Sequence, residues 1–131
     1  MENILLRPLQ NKSFRFGVDT YKVCSQIMNL KNEWVLTRQL MRSATAVGAL
    51  CSESEHAQRK LDFINKRSIA RLECNESKYW IALMLELGLI EPEIARKLDD
   101  QAEELMKLLT SGIQTARRNL ESSAKSRVAS K

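Results

Sequence analysis

Apolar residues recur along most of the chain with a period near 3.6, and the breaks in that rhythm divide it into four helical segments. The first is expected over residues 14–30, with Ser13 as its N-cap. The second follows Asn32, another good capping residue, with Glu33 in the first turn where the helix dipole favours an acid, and runs to about residue 55. The third covers residues 59–87 and stops at Gly88, a C-terminal signal. The fourth opens at Pro92 between Glu91 and Glu93 and runs to about residue 120. The stretch ESSAKSRVASK holds one Val and no other large apolar group, so it reads as a disordered basic tail. The expected organisation is an N-terminal extension over residues 1–12, a bundle over 13–121 and the tail over 122–131.

Wheel projections sort the faces at 100° per residue. In the fourth segment Ile94, Leu98, Leu105, Leu109, Gly112, Ala116 and Leu120 share one face, with Asp100, Glu103, Lys107 and Gln114 opposite. In the second, Leu36, Leu40, Val47 and Cys51 lie across from Arg38, Arg42, Thr45 and Ala49. Short connections favour antiparallel neighbours. The fold class expected is all-α, a left-handed antiparallel up-down-up-down four-helix bundle.

The third segment departs from a simple amphipathic helix. Its main apolar face holds Leu61, Ile69, Leu72, Tyr79, Leu83 and Leu87. A second, narrower strip holds Phe63, Ala70, Cys74 and Ile81, well over 100° away. A surface helix in a monomer needs one apolar face, so the second strip predicts a further partner. That partner is either another helix of the same bundle or another subunit; as an oligomer interface the expected residues are Phe63, Ala70, Cys74 and Ile81. Between the two strips runs a row of cations, Lys60, Arg67, Arg71 and Lys78, with Arg59 and Lys66 beyond the narrower strip.

Composition narrows the function classes. The 131 residues carry 21 Lys and Arg against 16 Asp and Glu, a net charge of +5, and Gly and Pro number only 4 and 2, too few for an all-β domain. No apolar run approaches the ~18 residues of a membrane span, and the N-terminus MENILLRPLQ lacks the long apolar region of a secretory signal. A cytoplasmic location is the expectation. Cys24, Cys51 and Cys74 form no CxxC and have no neighbouring His pair, so they read as small core residues.

Little here points to catalysis. His56 is the single histidine, which excludes a two-His metal site within one chain and leaves one base for any Ser-His-Asp arrangement. It sits in the polar junction SESEHAQRK and reads as solvated surface. No GxxxxGK[ST] or GxGxxG cradles phosphate. Glu73 and Glu76 form an ExxE pair, and Glu53 with His56 formally makes an ExxH; a di-metal bundle needs two ExxH pairs, so hydrogen bonding across the bundle or a subunit interface is the better account. The expectation is no enzyme, no metal, no cofactor and no small-molecule substrate.

Charge is the remaining signal, and it is segregated. Residues 1–85 carry 13 cations and 8 acids, residues 86–116 carry 3 and 7, and residues 117–131 carry 5 and 1. Lys60, Arg67, Arg71 and Lys78, helped by Arg59, Lys66, Arg38 and Arg42, are therefore candidate phosphate-neutralising residues. The alternatives are a solvated face paired with acids of a neighbouring helix, or a protein-interaction module meeting an acidic partner. The few aromatics fit core positions, so a base-stacking platform is not indicated.

Three blocks in order, NKSFRFGVDTYKVC, LTRQLMRSATAVGA with Glu53, and KLDFINKRSIARLECNESKYWIALMLELGLI, resemble the four-helix-bundle proteins encoded in intervening sequences of bacterial 23S ribosomal RNA genes. The resemblance covers residues 12–90. It implies a short cytoplasmic helical bundle assembled as a pentameric ring. Relatives include the accessory protein of diversity-generating retroelements, which implies nucleic acid, RNA or DNA, as a partner. The family supplies no catalytic residues. This chain has Leu50 where the family often has Asn, and Glu53-Ser54 where it often has an acid followed by Gly.

Overall fold

The computed structural model describes residues 7–129, and four helices account for nearly all of them: α1 Pro8–Lys31, α2 Val35–Glu55, α3 Lys60–Glu86 and α4 Pro92–Ala129. Neighbours in sequence pack side by side, and α1 closes against α4. The cross-links fix every adjacent pair as antiparallel. Arg7 near the start of α1 meets Glu55 at the end of α2, Arg42 meets Glu73 while Glu53 meets Lys66, and Arg71 meets Thr110 while Lys78 meets Asp99. Lys31 Nζ at the end of α1 donates to the carbonyl oxygens of Gly88 and Leu89, just before α4 begins. This is the up-down-up-down bundle that the periodicity implies.

Local chemistry sets the ends. Pro8 opens α1, where a proline's fixed φ suits the first turn, so this helix starts well before the expected Ser13. Residues 8–12 are therefore helical, Arg7 caps them, and residues 1–6 of the expected N-terminal extension lie outside the described residues. Ser13 is instead buried inside the helix, its hydroxyl donating to the Gln10 carbonyl oxygen at 3.2 Å. Asn32 ends α1 in the left-handed region at φ 52°, a conformation Asn tolerates better than most side chains, and so does not cap α2. Capping of α2 falls to Glu33, whose carboxylate accepts the backbone amides of Leu36 and Thr37 at 3.1 and 3.0 Å. Desolvation pushes this carboxyl up, but those amides, the Thr37 hydroxyl and the Val35 amide outweigh it and hold it below the usual carboxylate range. Gly88 stops α3 at φ 74°: its amide donates to Leu85 O and that of Leu89 donates to Met84 O, the paired bonds of a Schellman turn.

One continuous core joins all four helices through Phe16 and Cys24, Leu40 and Val47, Ala70, Cys74, Ile81 and Met84, and Leu98, Leu105 and Leu109. Cys24, Cys51 and Cys74 are all free and buried, as expected of small core residues, and burial pushes the Cys24 and Cys74 thiols up to about 12. In α4 the expected apolar face holds for Leu98, Leu105, Leu109 and Ala116; Ala95, Ala102 and Ile113 join it, while Ile94 is turned out.

The tail expectation is corrected as far as residue 129. After Gly112 no glycine or proline interrupts the sequence, and α4 continues to Ala129. Its 38 residues span about 57 Å, against about 40 Å for the 27 of α3, so α4 projects past the bundle. Residues 121–129 are exposed throughout. Deleting residues 122–131 is accordingly expected to shift the thermal midpoint by less than about 2 °C, because residues 122–129 bury nothing in the core. Calorimetry on the truncated chain checks this, and a drop above about 5 °C would show that the overhang supports the bundle.

Candidate functional site

The row Lys60, Arg67, Arg71 and Lys78 is not a solvent-facing strip. It lies where α3 meets α4, and its members have different surroundings. Lys60 is exposed. Arg67 is buried, with 9% of its surface accessible. Its Nε donates to Ser54 Oγ at 2.9 Å and its Nη2 to Glu55 Oε1 at 2.8 Å, while the guanidinium lies 4.3 Å from the centre of the Phe63 ring. Gly112 makes room for it, since a Cβ at that position would stand 3.1 Å from Nη1. Gln10 and Arg7 hold the same Glu55 carboxylate from α1. Arg71 is half-buried, its Nη1 donating to Thr110 Oγ1 at 3.4 Å. Lys78 bridges Asp99 at 2.8 Å and Glu103 at 2.6 Å. Desolvation opposes its charge, but these two carboxylates outweigh that and raise it above an ordinary lysine.

The supporting cations are partnered as well. Arg59 pairs with Asp62 at 3.2 Å and Lys66 with Glu53 at 3.1 Å, both as solvent-screened surface pairs. Arg38 is exposed, 5.9 Å from the Trp34 ring centre. Arg42 reaches across from α2 to both Glu73, at 3.2 Å, and Glu76. This answers the ExxE question: the two carboxylates share a guanidinium. Burial and the neighbouring Glu76 push the Glu73 carboxyl up, whereas the Arg42 hydrogen bond holds Glu76 down. Among the described residues no three His, Cys, Asp or Glu side chains are grouped to hold a metal ion. His56 is exposed at the end of α2.

The expected oligomer interface is also corrected. Ala70, Cys74 and Ile81 lie in the bundle's own core, and the Cys74 thiol donates to the Ala102 carbonyl oxygen at 3.3 Å. Phe63 is half-buried and packs with Leu120 against Ile64, Ile113 and Ala116. The narrower strip is the inward face because close-packed helices need small residues there: Ser77 meets Ser43 Oγ to Oγ at 2.8 Å, with Ala44 and Ala70 also buried. The larger apolar set points outward. Leu61, Leu72 and Tyr79 are 59%, 70% and 61% exposed, and Ile69 and Leu87 are exposed beside them.

The second cluster shows where the basic surface lies. Ile64 against Ile113 and Ala116 brings the start of α3 beside the far part of α4. Arg59 and Lys60 therefore share one end of the bundle with Arg117 and Arg118, all exposed, and the overhang adds Lys125 and Arg127 with Glu121 as its one acid. The charge segregation in the sequence pointed to this end, but the wheel drew attention to the row on α3.

A second surface was invisible in the sequence. Between α1 and α2 runs an open groove of about 610 Å³, lined by Phe14, Gly17, Val18 and Tyr21 on one side and by Thr45, Gly48, Ala49 and Ser52 on the other. Lys22 is its one charged lining residue.

These features define a small, all-helical, antiparallel bundle with apolar surfaces left open and a basic end. A family model for the 23S rRNA-intervening sequence protein matches residues 8–111, and the chain belongs to that family. A crystal structure at 1.70 Å of a protein of unknown function from the S23 ribosomal protein family of Bacteroides thetaiotaomicron is similar to it, with a TM-score of 0.79 and 36% identity over 80% of this chain and 97% of that one. No curated protein matches. No described helix is long and apolar enough to cross a membrane.

Proposed function

We propose that this chain is a non-catalytic, self-associating cytoplasmic bundle that binds nucleic acid, RNA or DNA, through its basic end. The observation that carries this reading is the far part of α4, where the exposed Arg117, Arg118 and Lys125 stand against Glu121 alone. Cations free to leave the fold's own ion pairs are the ones that release counterions on meeting phosphate. Family membership supports the reading, and the pentameric ring that the family resemblance implies would repeat the basic end and multiply weak contacts through avidity.

Changing Arg117, Arg118 and Lys125 together to Gln removes three exposed charges and preserves helix propensity. Binding of labelled single-stranded RNA and DNA, followed by anisotropy across a salt series, should weaken alike for all sequences. The slope of log affinity against log salt should shrink by roughly two to three units. An unchanged affinity and slope would remove the basic end from the reading. If the wild type binds neither polymer at low salt, a scaffold that meets an acidic protein partner takes first place.

A further inference from the structure

Phe63 near the start of α3 packs with Leu120 of α4 against one small cluster, so the two helices stay together up to that level. Residues 121–129 continue beyond it as about 14 Å of helix, exposed throughout and outside the stretch that the family model covers. This piece is slim and polar. Ser122, Ser123, Ala124, Ser126 and Ala129 are small, Val128 is its one large apolar residue, and none of the nine is aromatic. Cations stand around its root. Lys60, Arg117 and Arg118 are exposed and have no ion-pair partner among the described residues, and Arg59 has only a screened surface pair with Asp62. Lys125 stands two turns beyond Arg118 on the same face, with Ser122 between them.

A helix without an apolar stripe gives another helix nothing to bury, so charge selects its partner, and the charge asks for an anion. Among nucleic acids, shape decides. Single strands stack their bases on aromatic side chains, and residues 121–129 offer none. The major groove of A-form RNA is too narrow and deep for side chains to read. That of B-form DNA is about 12 Å wide and admits a helix of about 10–12 Å diameter, and small side chains keep this helix slender. We infer that the projecting end of α4 enters the major groove of duplex DNA. Ser122 and Ser126, one turn apart, face the base edges, while Lys60, Arg118 and Lys125 meet phosphates of the groove walls. A serine hydroxyl both donates and accepts, so it suits any base pair and sequence preference is weak. The inference rests on the nucleic-acid binding in the proposed function and narrows the ligand to duplex DNA.

The test compares three duplexes of one sequence: DNA, RNA, and DNA whose cytosines carry glucosylated hydroxymethyl groups, which fill the major groove and leave every phosphate in place. Anisotropy at one fixed salt concentration reads affinity for the full chain. Plain duplex DNA is expected to bind about tenfold tighter than either of the others. Deleting residues 122–131 lowers affinity for all three, because cations are lost, and should bring them within about twofold of one another. Ser122→Leu with Ser126→Leu keeps every charge and thickens the helix at two exposed positions, so it should erase the preference for plain DNA while circular dichroism stays at wild-type helicity. This second variant carries the test should the truncated chain fail to fold. Duplex RNA or glucosylated DNA bound as tightly as plain DNA would overturn the inference, and so would a preference that survives both changes. Either result, with the salt slope still set by Arg117, Arg118 and Lys125, leaves the proposed function standing. A wild type that binds no nucleic acid removes both.

Discussion

Ile81→Glu is expected to unfold most of the protein at neutral pH and 25 °C. Ile81 is 2% exposed and sits in the core shared by all four helices. Removing its side chain from a packed site costs about 2–5 kcal/mol. Placing a carboxylate there adds the desolvation of a charge with no partner, at least a few kcal/mol more. The sum is comparable to the ~5–15 kcal/mol total stability of a domain. The introduced carboxyl would have its pKa raised by burial. The folded form is then best tolerated below that raised value, and the deficit relative to the wild type grows as pH rises through it. Far-UV circular dichroism at pH 5 and pH 7 reads both effects. Ala82→Glu, the next residue and exposed, should move the midpoint by less than about 2 °C. Retained helicity in Ile81→Glu with a midpoint near the wild type would place Ile81 on a surface, as an interface strip requires.

The contrast between Ile81 and Leu72 shows what a single sequence makes legible here. Helix number, order and the Gly88 stop follow from period and punctuation, because those signals act locally. The inward face of α3 does not, because the wheel weighs apolar bulk and the bundle selects for fit. Ala70, Cys74 and Ser77 are small enough to let α3 approach its neighbours, and Ser77 spends its hydroxyl on Ser43. The bulkier Leu61, Leu72 and Tyr79 were free to stay outside. The same logic hid the groove: Gly17, Gly48 and Ala49 look like ordinary small helix residues until two helices are set side by side. The cationic row misled for a related reason. Its spacing is real, but Lys78 answers to Asp99 and Glu103 on a helix whose register the sequence does not reveal. The overhang of α4 looks like a tail in the sequence because Val128 is its one large apolar residue, and a helix can extend without an apolar face where nothing in its sequence breaks it.

Arg67→Gln is expected to lower the thermal midpoint by about 10 °C while leaving nucleic-acid affinity and its salt slope unchanged. The guanidinium is enclosed: Ser54 and Glu55 take its Nε and Nη2, the Phe63 ring covers it, and Gly112 supplies the space for Nη1. Removing one partner of a fully buried ion pair costs about 3–5 kcal/mol because the other charge is left unpaired, and Glu55 is only partly shielded from water. Here Glu55 keeps Arg7 and Gln10, which places the expected cost near the lower end, about 3 kcal/mol. Replacing both members, as Arg67→Met with Glu55→Met, removes the stranded charge and should recover part of the loss, so the two substitutions should be clearly non-additive. Gly112→Ala provides an independent check, since its Cβ would press on the guanidinium without altering any charge. It should shift the midpoint downward in the wild type and upward in the Arg67→Gln background, where the space is vacant and alanine favours the helix. A midpoint unmoved by Arg67→Gln, together with a salt slope smaller by about one unit, would mean that this arginine reaches phosphate in solution and not Glu55 in the bundle.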